Sequence, residues 1–212
     1  MWPLLSLLLS FSLFAHSGSC PLKDGDLIFI KSQSSQSALL KLVTKSEWTH
    51  VGLVFKNDKG WDVIEAVQPV KWTSLYSFVR RSHQYSFEVY RALFDFDPTL
   101  VKAHAEEQLH KNYDLIFGWD HERWYCSELA WKAYEKGAQE HIGSLQKVGD
   151  LEVSDPRVLN EAKKRFNGYG LTFNAEEWLS TEVITPVQMM KSEKVQKVLD
   201  QRQVTSLKDC LL

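Results

Sequence analysis

Two apolar segments joined by a short turn constrain the fold of this chain more than any other feature of its sequence. Residues 49–55 and 61–67 are mostly apolar, and residues 57–60, with the sequence Asn-Asp-Lys-Gly, separate them. This arrangement is typical of a β-hairpin. With a two-residue loop, the numbers of paired residues add up to an odd number, and His50 then shares a face with Glu65, either directly opposite or diagonal to it. A three-residue loop would place Glu65 on the other face.

The remaining pattern predicts an α+β fold, in which helices pack on a small antiparallel sheet. A short apolar run at 27–30 and an alternating pattern at 85–92 are typical of further strands. Asp97-Pro98 and Asp155-Pro156 are typical helix starts, because Asp caps a helix and Pro suits its first position. Helices are expected at 32–45, 74–81, 97–110, 124–136, 157–166 and 185–191, with Gly137 just past the end of the fourth. The polar tail after residue 191 is expected to fray.

Length and charge restrict the class of protein. The 212 residues suffice for one domain with a proper core and are awkward for two, so residues 20–212 are expected to form a single catalytic domain. Hydrophobic residues make up 44% and charged residues 25% of the chain, which is an ordinary globular balance. A net charge of -2 lacks the basic character that nucleic-acid binding needs, so nucleic acid is not expected as a partner.

The first 19 residues have the pattern of a secretory signal. Residues 2–15 are nearly all apolar, and small or polar residues follow. The run is short for a membrane span, so we predict a signal peptide at 1–19 and an exported protein, periplasmic or extracellular. The Ser-Gly-Ser-Cys sequence ending at Cys20 weakly resembles a lipoprotein signal. The alternative is therefore a lipid anchor at Cys20, with membrane association through the N-terminus.

The chain has three cysteines, one near each end and one in the middle: Cys20, Cys126 and Cys210. This distribution does not predict a disulfide framework. Cys126 is then either a small buried apolar residue or a thiol kept free for chemistry.

Cys126, His50 and Glu65 are the candidate catalytic residues. Cys126 lies in the first turn of a predicted helix, where free backbone N–H groups and the helix dipole favour a thiolate. A nucleophilic cysteine needs a base, and among the seven histidines His50 begins an apolar strand that would hold its ring in place. A carboxylate in the apolar strand 63–67 needs a partner, and Glu65 could orient the imidazole by accepting its hydrogen bond. A buried structural histidine and a water-exposed edge carboxylate are the alternatives.

Other chemistries find no support in the sequence. It contains no HExxH motif, no close His/Cys/Asp cluster for zinc, no Gly-rich phosphate loop and no G-x-S-x-G elbow. We therefore expect neither a metal nor a cofactor.

Several short motifs together resemble a known family. They are Asp-Gly-Asp-Leu-Ile-Phe at 24–29, Thr-His-Val-Gly-Leu-Val at 49–54, Val-Ile-Glu-Ala at 63–66, Tyr-Asp at 113–114, Tyr-Cys-Ser-Glu-Leu at 125–129 and Ile-Thr-Pro at 184–186. In order and spacing they are similar to the permuted NlpC/P60 hydrolases of the YiiX/YebB-like group, over residues 22–191. The resemblance implies a circularly permuted papain-like fold, in which the histidine precedes the cysteine. It also implies that Cys126 is the nucleophile, His50 the base and Glu65 the orienting residue.

The resemblance implies the chemistry more closely than the substrate. Relatives of this group cleave amide bonds in cell-wall peptides, whereas other permuted relatives are lipid acyltransferases and phospholipase-like enzymes. Tyr113, Tyr125 and Trp48 are expected to line the substrate site. An apolar groove formed by some of Trp48, Trp61, Trp72, Trp119 and Trp124 would favour an acyl substrate. A non-catalytic binding module with the same fold is the third possibility.

Overall fold

The structure is a computed structural model that describes residues 20–203 and residue 210. The predicted signal peptide at 1–19 lies outside the described residues. Within the described range, none of the helices combines the length and the apolar character needed to cross a bilayer.

Six of the strands form the main sheet. In chain order, the described strands are β1 (Leu27–Ser32), β2 (His50–Asn57), β3 (Gly60–Glu65), β4 (Lys71–Ser74), β5 (Ser82–Ala92), β6 (Asn112–Tyr113), β7 (Arg123–Trp124), β8 (Gln146–Lys147), β9 (Glu182–Val183) and β10 (Val195–Asp200). The antiparallel sheet has the order β10-β5-β1-β2-β3-β4. Strands β6 and β7 form a separate parallel pair, and β8 and β9 a separate antiparallel pair.

The β2–β3 hairpin has the predicted two-residue loop. Asn57 pairs with Gly60 and Leu53 pairs with Ile64, so the numbers of paired residues add up to an odd number. Continued to the end of the hairpin, this register places Glu65 diagonally across from His50 rather than directly opposite. The prediction that the two side chains share a face is confirmed.

Helices cover both faces of the sheet. They are α1 (Ser37–Thr44), α2 (Leu75–Arg80), α3 (Pro98–Glu106), α4 (Cys126–Ala138), α5 (Pro156–Gly168), α6 (Ala175–Ser180) and α7 (Pro186–Met190), with short 3-10 helices at Val148–Asp150 and Gln201–Gln203. On one face, Leu27 and Phe29 of β1 pack in a core cluster with α4. On the other, Ile28 and Ile30 pack with α2. Because both faces are covered, β1 is a continuous apolar run rather than an alternating one.

The predicted helix starts are confirmed at three caps. Asp97 accepts a hydrogen bond from the Thr99 backbone N–H at 2.9 Å, and Asp155 accepts one from Arg157 at 2.8 Å. Thr185 caps α7 in the same way. Helix α6 was not predicted, although Asn174 caps it and two glutamates occupy its first turn, which is an available sequence signal.

The prediction that Gly137 ends α4 is wrong. Gly137 lies inside the helix, and Gln139, with φ of 55°, forms its left-handed cap. A Cβ added at Gly137 would lie 2.5 Å from the Val101 backbone nitrogen on α3. The glycine is required by the close approach of two helices and not by a turn.

Gly137→Ala is therefore expected to destabilise the protein, despite the better helix propensity of alanine. The overlap is with main-chain atoms that cannot rotate away, so we expect a loss of about 1–3 kcal/mol in the free energy of unfolding by urea. Gly168→Ala is the matched control, because nothing lies within 4 Å of the added Cβ at the end of α5. An unchanged or higher stability of Gly137→Ala would contradict this account of the helix contact.

The prediction that the polar tail frays is wrong for residues 195–200. Strand β10 pairs with β5 at the edge of the sheet, with Val195 opposite Ala92 and Asp200 opposite Glu88. Val195 and Leu199 are buried. Two apolar side chains among polar neighbours suffice for a strand at the edge of the sheet.

Cys20 and Cys210 form a disulfide across 190 residues. The distribution of the three cysteines did not predict this single bond. The two cysteines are distant in sequence, but the fold brings both against the core cluster under β5 and β10. The Cys20 sulfur is taken up by this bond, so it is not available for the lipid attachment considered from the sequence. Cys126 is the free cysteine of the chain.

Candidate active site

Cys126 is the first residue of α4. Tyr125 caps the helix in an extended conformation, and its backbone N–H donates to Glu128 Oε2 at 3.3 Å. The Ser127 hydroxyl donates to the Ile184 carbonyl at 2.8 Å and ties the first turn to the segment before α7. Leu129 and Tyr134 are buried under the sheet. These contacts hold the buried thiol at the positive end of the helix dipole, where a thiolate is favoured.

His50 and Glu65 meet at the end of the β2–β3 hairpin. His50 Nε2 lies 2.6 Å from Glu65 Oε2, and the imidazole stacks on Phe78 with 5.4 Å between ring centroids. Glu65 is fully buried and His50 is buried. The two rigid strands and the ring stack fix the orientation of the imidazole.

The Glu65 carboxylate has two further partners that the sequence did not reveal. The Thr73 hydroxyl donates to Oε1 at 2.6 Å, and Arg81 Nη2 donates to both oxygens at 2.5 and 2.6 Å. Thr73 lies on β4 and Arg81 just after α2. Neither residue shows a motif, because the pairing of β3 with β4 brings Thr73 to Glu65 and the packing of α2 brings Arg81 there.

The structure places Cys126 beside His50, as the sequence predicted. The two side chains interact, and the charge of each shifts the pKa of the other. Glu65 occupies Nε2 of the ring, which leaves Nδ1 available to the thiol. Cys126, His50 and Glu65 thus form one chain of interacting residues.

The charges of this chain of residues are coupled. Burial alone would lower the pKa of His50, but the charge and hydrogen bond of Cys126 and the contact with Glu65 raise it to about 9. Burial raises the pKa of Glu65, but His50 and then Arg81 outweigh it and lower that pKa to about 2. Burial also raises the pKa of Cys126, and the His50 charge together with backbone N–H groups of Val51 and Ser127 lowers it below its ordinary value. At neutral pH this arrangement favours a thiolate–imidazolium pair.

Tyr113 belongs to the same cluster. Burial together with the Cys126 charge raises the pKa of its hydroxyl well above the usual value. The hydroxyl therefore stays protonated. The Tyr125 hydroxyl instead accepts from the Ile184 backbone N–H at 3.2 Å, and its ring packs on Phe117.

Cys126 lies between two cavities of different character. A polar cleft of about 520 Å³ is lined by His50 and Tyr113 together with Gln68, Arg81, Asn112 and Arg123. An apolar cavity of about 70 Å³ is lined by Cys126 and Tyr125. Tyr113 and Tyr125 therefore border the site, one on each side.

The structure does not place Trp48 in either cavity. Its ring packs against the core cluster below the sheet, with Lys31 Nζ 5.3 Å from the ring centroid. The other tryptophans considered from the sequence do not line these cavities either: Trp61, Trp72, Trp119 and Trp124. Trp178, on the unpredicted helix α6, lines the apolar cavity instead.

A helix-borne cysteine paired with a histidine and a carboxylate on a neighbouring antiparallel sheet defines a papain-like cysteine hydrolase, and here the histidine strand precedes the cysteine helix. A family model matches residues 21–199 of the chain. The family is described as "Permuted papain-like amidase enzyme, YaeF/YiiX, C92 family". The chain belongs to this family. It is a hydrolase of the cysteine-peptidase type with a permuted papain-like fold, as the sequence motifs predicted.

Two relatives support the assignment. The protein YiiX of Escherichia coli (strain K12) is 35% identical over 178 residues, covering 82% of this chain and 84% of YiiX. The crystal structure of the metalloprotein yiiX from Escherichia coli O157:H7 superposes with a TM-score of 0.75 at 29% identity, covering 84% of this chain and 97% of that chain.

The metal named for that relative is not carried over to this chain. Among residues 20–203 and 210, no group of three or more His, Cys, Asp or Glu side chains is arranged to hold a metal ion. The Cys126–His50–Glu65 chain has only one member of each type, and Nε2 of its histidine is engaged with Glu65.

Proposed function

We propose that this cysteine hydrolase cleaves an amide or ester bond through a thioester on Cys126. The observation that carries the proposal is the buried arrangement of Cys126, His50 and Glu65, in which Glu65 is hydrogen-bonded to His50 and the positive charge of His50 stabilises the negative charges of both neighbours. In this proposal Cys126 is the nucleophile, His50 is the acid and base, and Glu65 orients the imidazole. A binding module without turnover is the disfavoured alternative, because such a module has no need of a buried ion pair.

The reaction has two halves. The Cys126 sulfur attacks the substrate carbonyl, an S–C bond forms, and His50 donates its proton to the leaving nitrogen or oxygen as the C–N or C–O bond breaks. Water then attacks the thioester, His50 takes its proton, and the acid leaves as the S–C bond breaks. In this proposal, backbone N–H groups of the first turn of α4 and the protonated Tyr113 hydroxyl are the donors available to the oxygen that gains negative charge.

Glu65 and its neighbours stabilise the cationic state of His50. The carboxylate is held ionised by Arg81 and Thr73, so it keeps a negative charge beside the imidazolium throughout the cycle. Replacing it would change the protonation of His50 rather than the position of the thiol.

The pH dependence of kcat/KM is expected to be bell-shaped. Activity requires the thiolate, whose pKa is lowered, and the protonated imidazole, whose pKa is raised to about 9. The rate should therefore rise at a pH below the ordinary thiol value of ~8.5 and fall as the pH passes about 9. A rate that is still rising through the thiol's ordinary range would contradict the ion pair.

The proposal is tested directly by trapping the acyl-enzyme. The oxidised protein is mixed with p-nitrophenyl acetate, quenched in acid within one turnover and analysed by intact and peptide mass spectrometry. We expect one acetyl group on the peptide that contains Cys126, formed in a burst of p-nitrophenol and lost on further incubation. Acetylation distributed over surface lysines, with none on Cys126, would overturn the proposal.

We also propose that the protein is exported. The apolar segment before residue 20 and the Cys20–Cys210 disulfide support this, because disulfides persist mainly in oxidising compartments. The test is cell fractionation of the full chain beside a variant that lacks residues 2–19. Recovery of both proteins in the cytoplasmic fraction with reduced cysteines would contradict export.

A further inference from the structure

We propose that a basic pocket between α3 and α4 binds the phosphate group of a small hydroxylated ester, such as a phosphorylated polyol, at a site separate from the active site. The inference goes beyond the proposed function and does not depend on it. It follows from the charge of the pocket walls, from two lysines that approach one tryptophan ring, and from two buried polar atoms that have no partner.

The basic pocket has a volume of about 310 Å³ and is lined by residues of α3, of α4 and of the segments next to β6 and β7. Trp124, Leu129, Lys132 and Ala133 are its buried residues. Its remaining walls are mostly basic and less buried, and they include Lys111, Lys136, His104 and His121. A volume of this size suits a small molecule of a few carbons that carries one phosphate group.

The pocket is positive, although the chain has a net charge of -2. Three lysines line it, and among the described residues Glu107 is its one carboxylate. Glu107 is 61% exposed and lies 3.3 Å from His104 Nδ1, at the rim. Lys136 is 64% exposed, and its Nζ lies 3.7 Å from Glu135. Because exposed pairs of this kind compensate a charge only weakly, the pocket favours an anion.

Two lysines of the pocket approach the same indole ring. The Nζ atoms of Lys132 and Lys111 lie 4.7 and 5.6 Å from the ring centroid of Trp124. Lys132 donates to Glu128 at 2.6 Å, whereas Lys111 donates to the backbone carbonyl of His121 at 2.7 Å. Within the part of the chain that the structure describes, no carboxylate pairs with Lys111. Two ammonium groups near one ring repel each other, and an anion bound in the pocket offsets this repulsion.

Two polar atoms of the pocket residues are buried and have no hydrogen-bond partner between residues 20 and 203. They are the indole Nε1 of Trp124 and the side-chain Oε1 of Gln108. The amide nitrogen of Gln108 donates to the His104 carbonyl at 3.2 Å, which fixes the orientation of the amide. A buried polar group without a partner is unfavourable. A ligand with a phosphate oxygen for the indole N–H and a hydroxyl for the amide oxygen satisfies both groups.

The type of cation favours phosphate over carboxylate. Arginine has a planar fork that matches a carboxylate, and none of the described residues that line the pocket is an arginine. Lysine instead acts as a compact point charge, which is a common way to bind phosphate. Lysines from two segments of the chain then contact different oxygens of one tetrahedral group.

The test is isothermal titration calorimetry of the oxidised full chain with glycerol 3-phosphate at neutral pH and physiological ionic strength. Lys111→Gln removes a half-buried ammonium group and should weaken binding by about tenfold. Lys136→Gln removes an exposed one and should weaken binding by about threefold. Both side chains lie at the rim, so the variants should fold as the wild type does, which a substitution of the buried Lys132 does not guarantee. Lys164→Gln is the matched control, because Lys164 is a helix lysine that is 81% exposed, lies 3.9 Å from Glu161 and does not line the pocket.

Three further ligands identify the group that binds. Propyl phosphate lacks the hydroxyl groups and should bind more weakly than glycerol 3-phosphate, and glycerate, in which a carboxylate replaces the phosphate, should bind more weakly still. Vesicles of phosphatidylglycerol should not retain the protein, because the expected occupant is a soluble ester.

Equal affinity for glycerol 3-phosphate in Lys111→Gln, Lys136→Gln and Lys164→Gln would overturn the site, as would the absence of any binding by the wild type. Glycerate that binds as tightly as glycerol 3-phosphate would overturn the choice of phosphate. Retention on the vesicles, lost in Lys111→Gln and without binding of glycerol 3-phosphate, would overturn the soluble ester and indicate a lipid headgroup.

Discussion

Cys126→Ala is expected to lower kcat/KM by at least about 10³-fold, to the rate that binding alone provides. The substitution removes the sulfur that forms the thioester, and no other thiol can replace it, because Cys20 and Cys210 are joined. The buried alanine is smaller than the cysteine by one atom, so the free energy of unfolding should change by no more than about 1 kcal/mol. The measurements are kcat/KM on p-nitrophenyl acetate and a urea unfolding curve.

Cys126→Ser sharpens this prediction. The hydroxyl fills the same space, but its pKa is too high for the His50 contact to ionise it, so we expect a loss similar to that of the alanine variant. A variant of either kind that turns over at the wild-type rate while folded would show that the reaction does not pass through Cys126.

Glu65→Gln is expected to lower kcat/KM at neutral pH by about 10²-fold or more. Glutamine has the same shape but no charge, so His50 loses the carboxylate that keeps it protonated. The pKa of His50 should then fall and that of the Cys126 thiol should rise, since the two groups stabilise each other. The acidic limb of the pH profile of kcat/KM should therefore shift to higher pH. A merely structural role of Glu65 would not cause this shift.

Arg81→Gln is the matched control for Glu65. Arg81 contacts the same carboxylate, but its side chain is 41% exposed, and Glu65 keeps His50 and Thr73 as partners when the guanidinium is removed. We expect less than about a tenfold loss, because the exposed charge is screened by water. Equal losses for Arg81→Gln and Glu65→Gln would mean that the effect of Glu65 does not act through His50.

Local sequence signals predicted the parts of the site that depend on register and caps. The two-residue turn at 58–59 fixed the face shared by His50 and Glu65, because a strand has a strict period of two. The start of α4 placed Cys126 in the first helical turn. Both inferences rest on residues that lie close together in the sequence.

The missed features depend on contacts between distant segments. Arg81 reaches Glu65 only through the packing of α2 and β4, and Cys210 reaches Cys20 only because β10 joins the sheet edge. The sequence around Gly137 predicts a helix end, whereas the glycine is required by the close approach of Val101 on another helix. The apolar cavity likewise arises where helices from three parts of the chain meet, so no single segment carries its signal.

The pH dependence of Cys126 alkylation by iodoacetamide is the most direct test of the proposal that Cys126 and His50 form a thiolate–imidazolium pair. The oxidised protein can be used as it is, since Cys126 is its one free thiol. We expect rapid labelling with a midpoint well below the ordinary pKa of ~8.5, and in His50→Ala a midpoint that returns to that value or above. Slow labelling with an ordinary midpoint, unchanged in His50→Ala, would mean that Cys126 is a packing residue and would contradict the proposed catalytic chain.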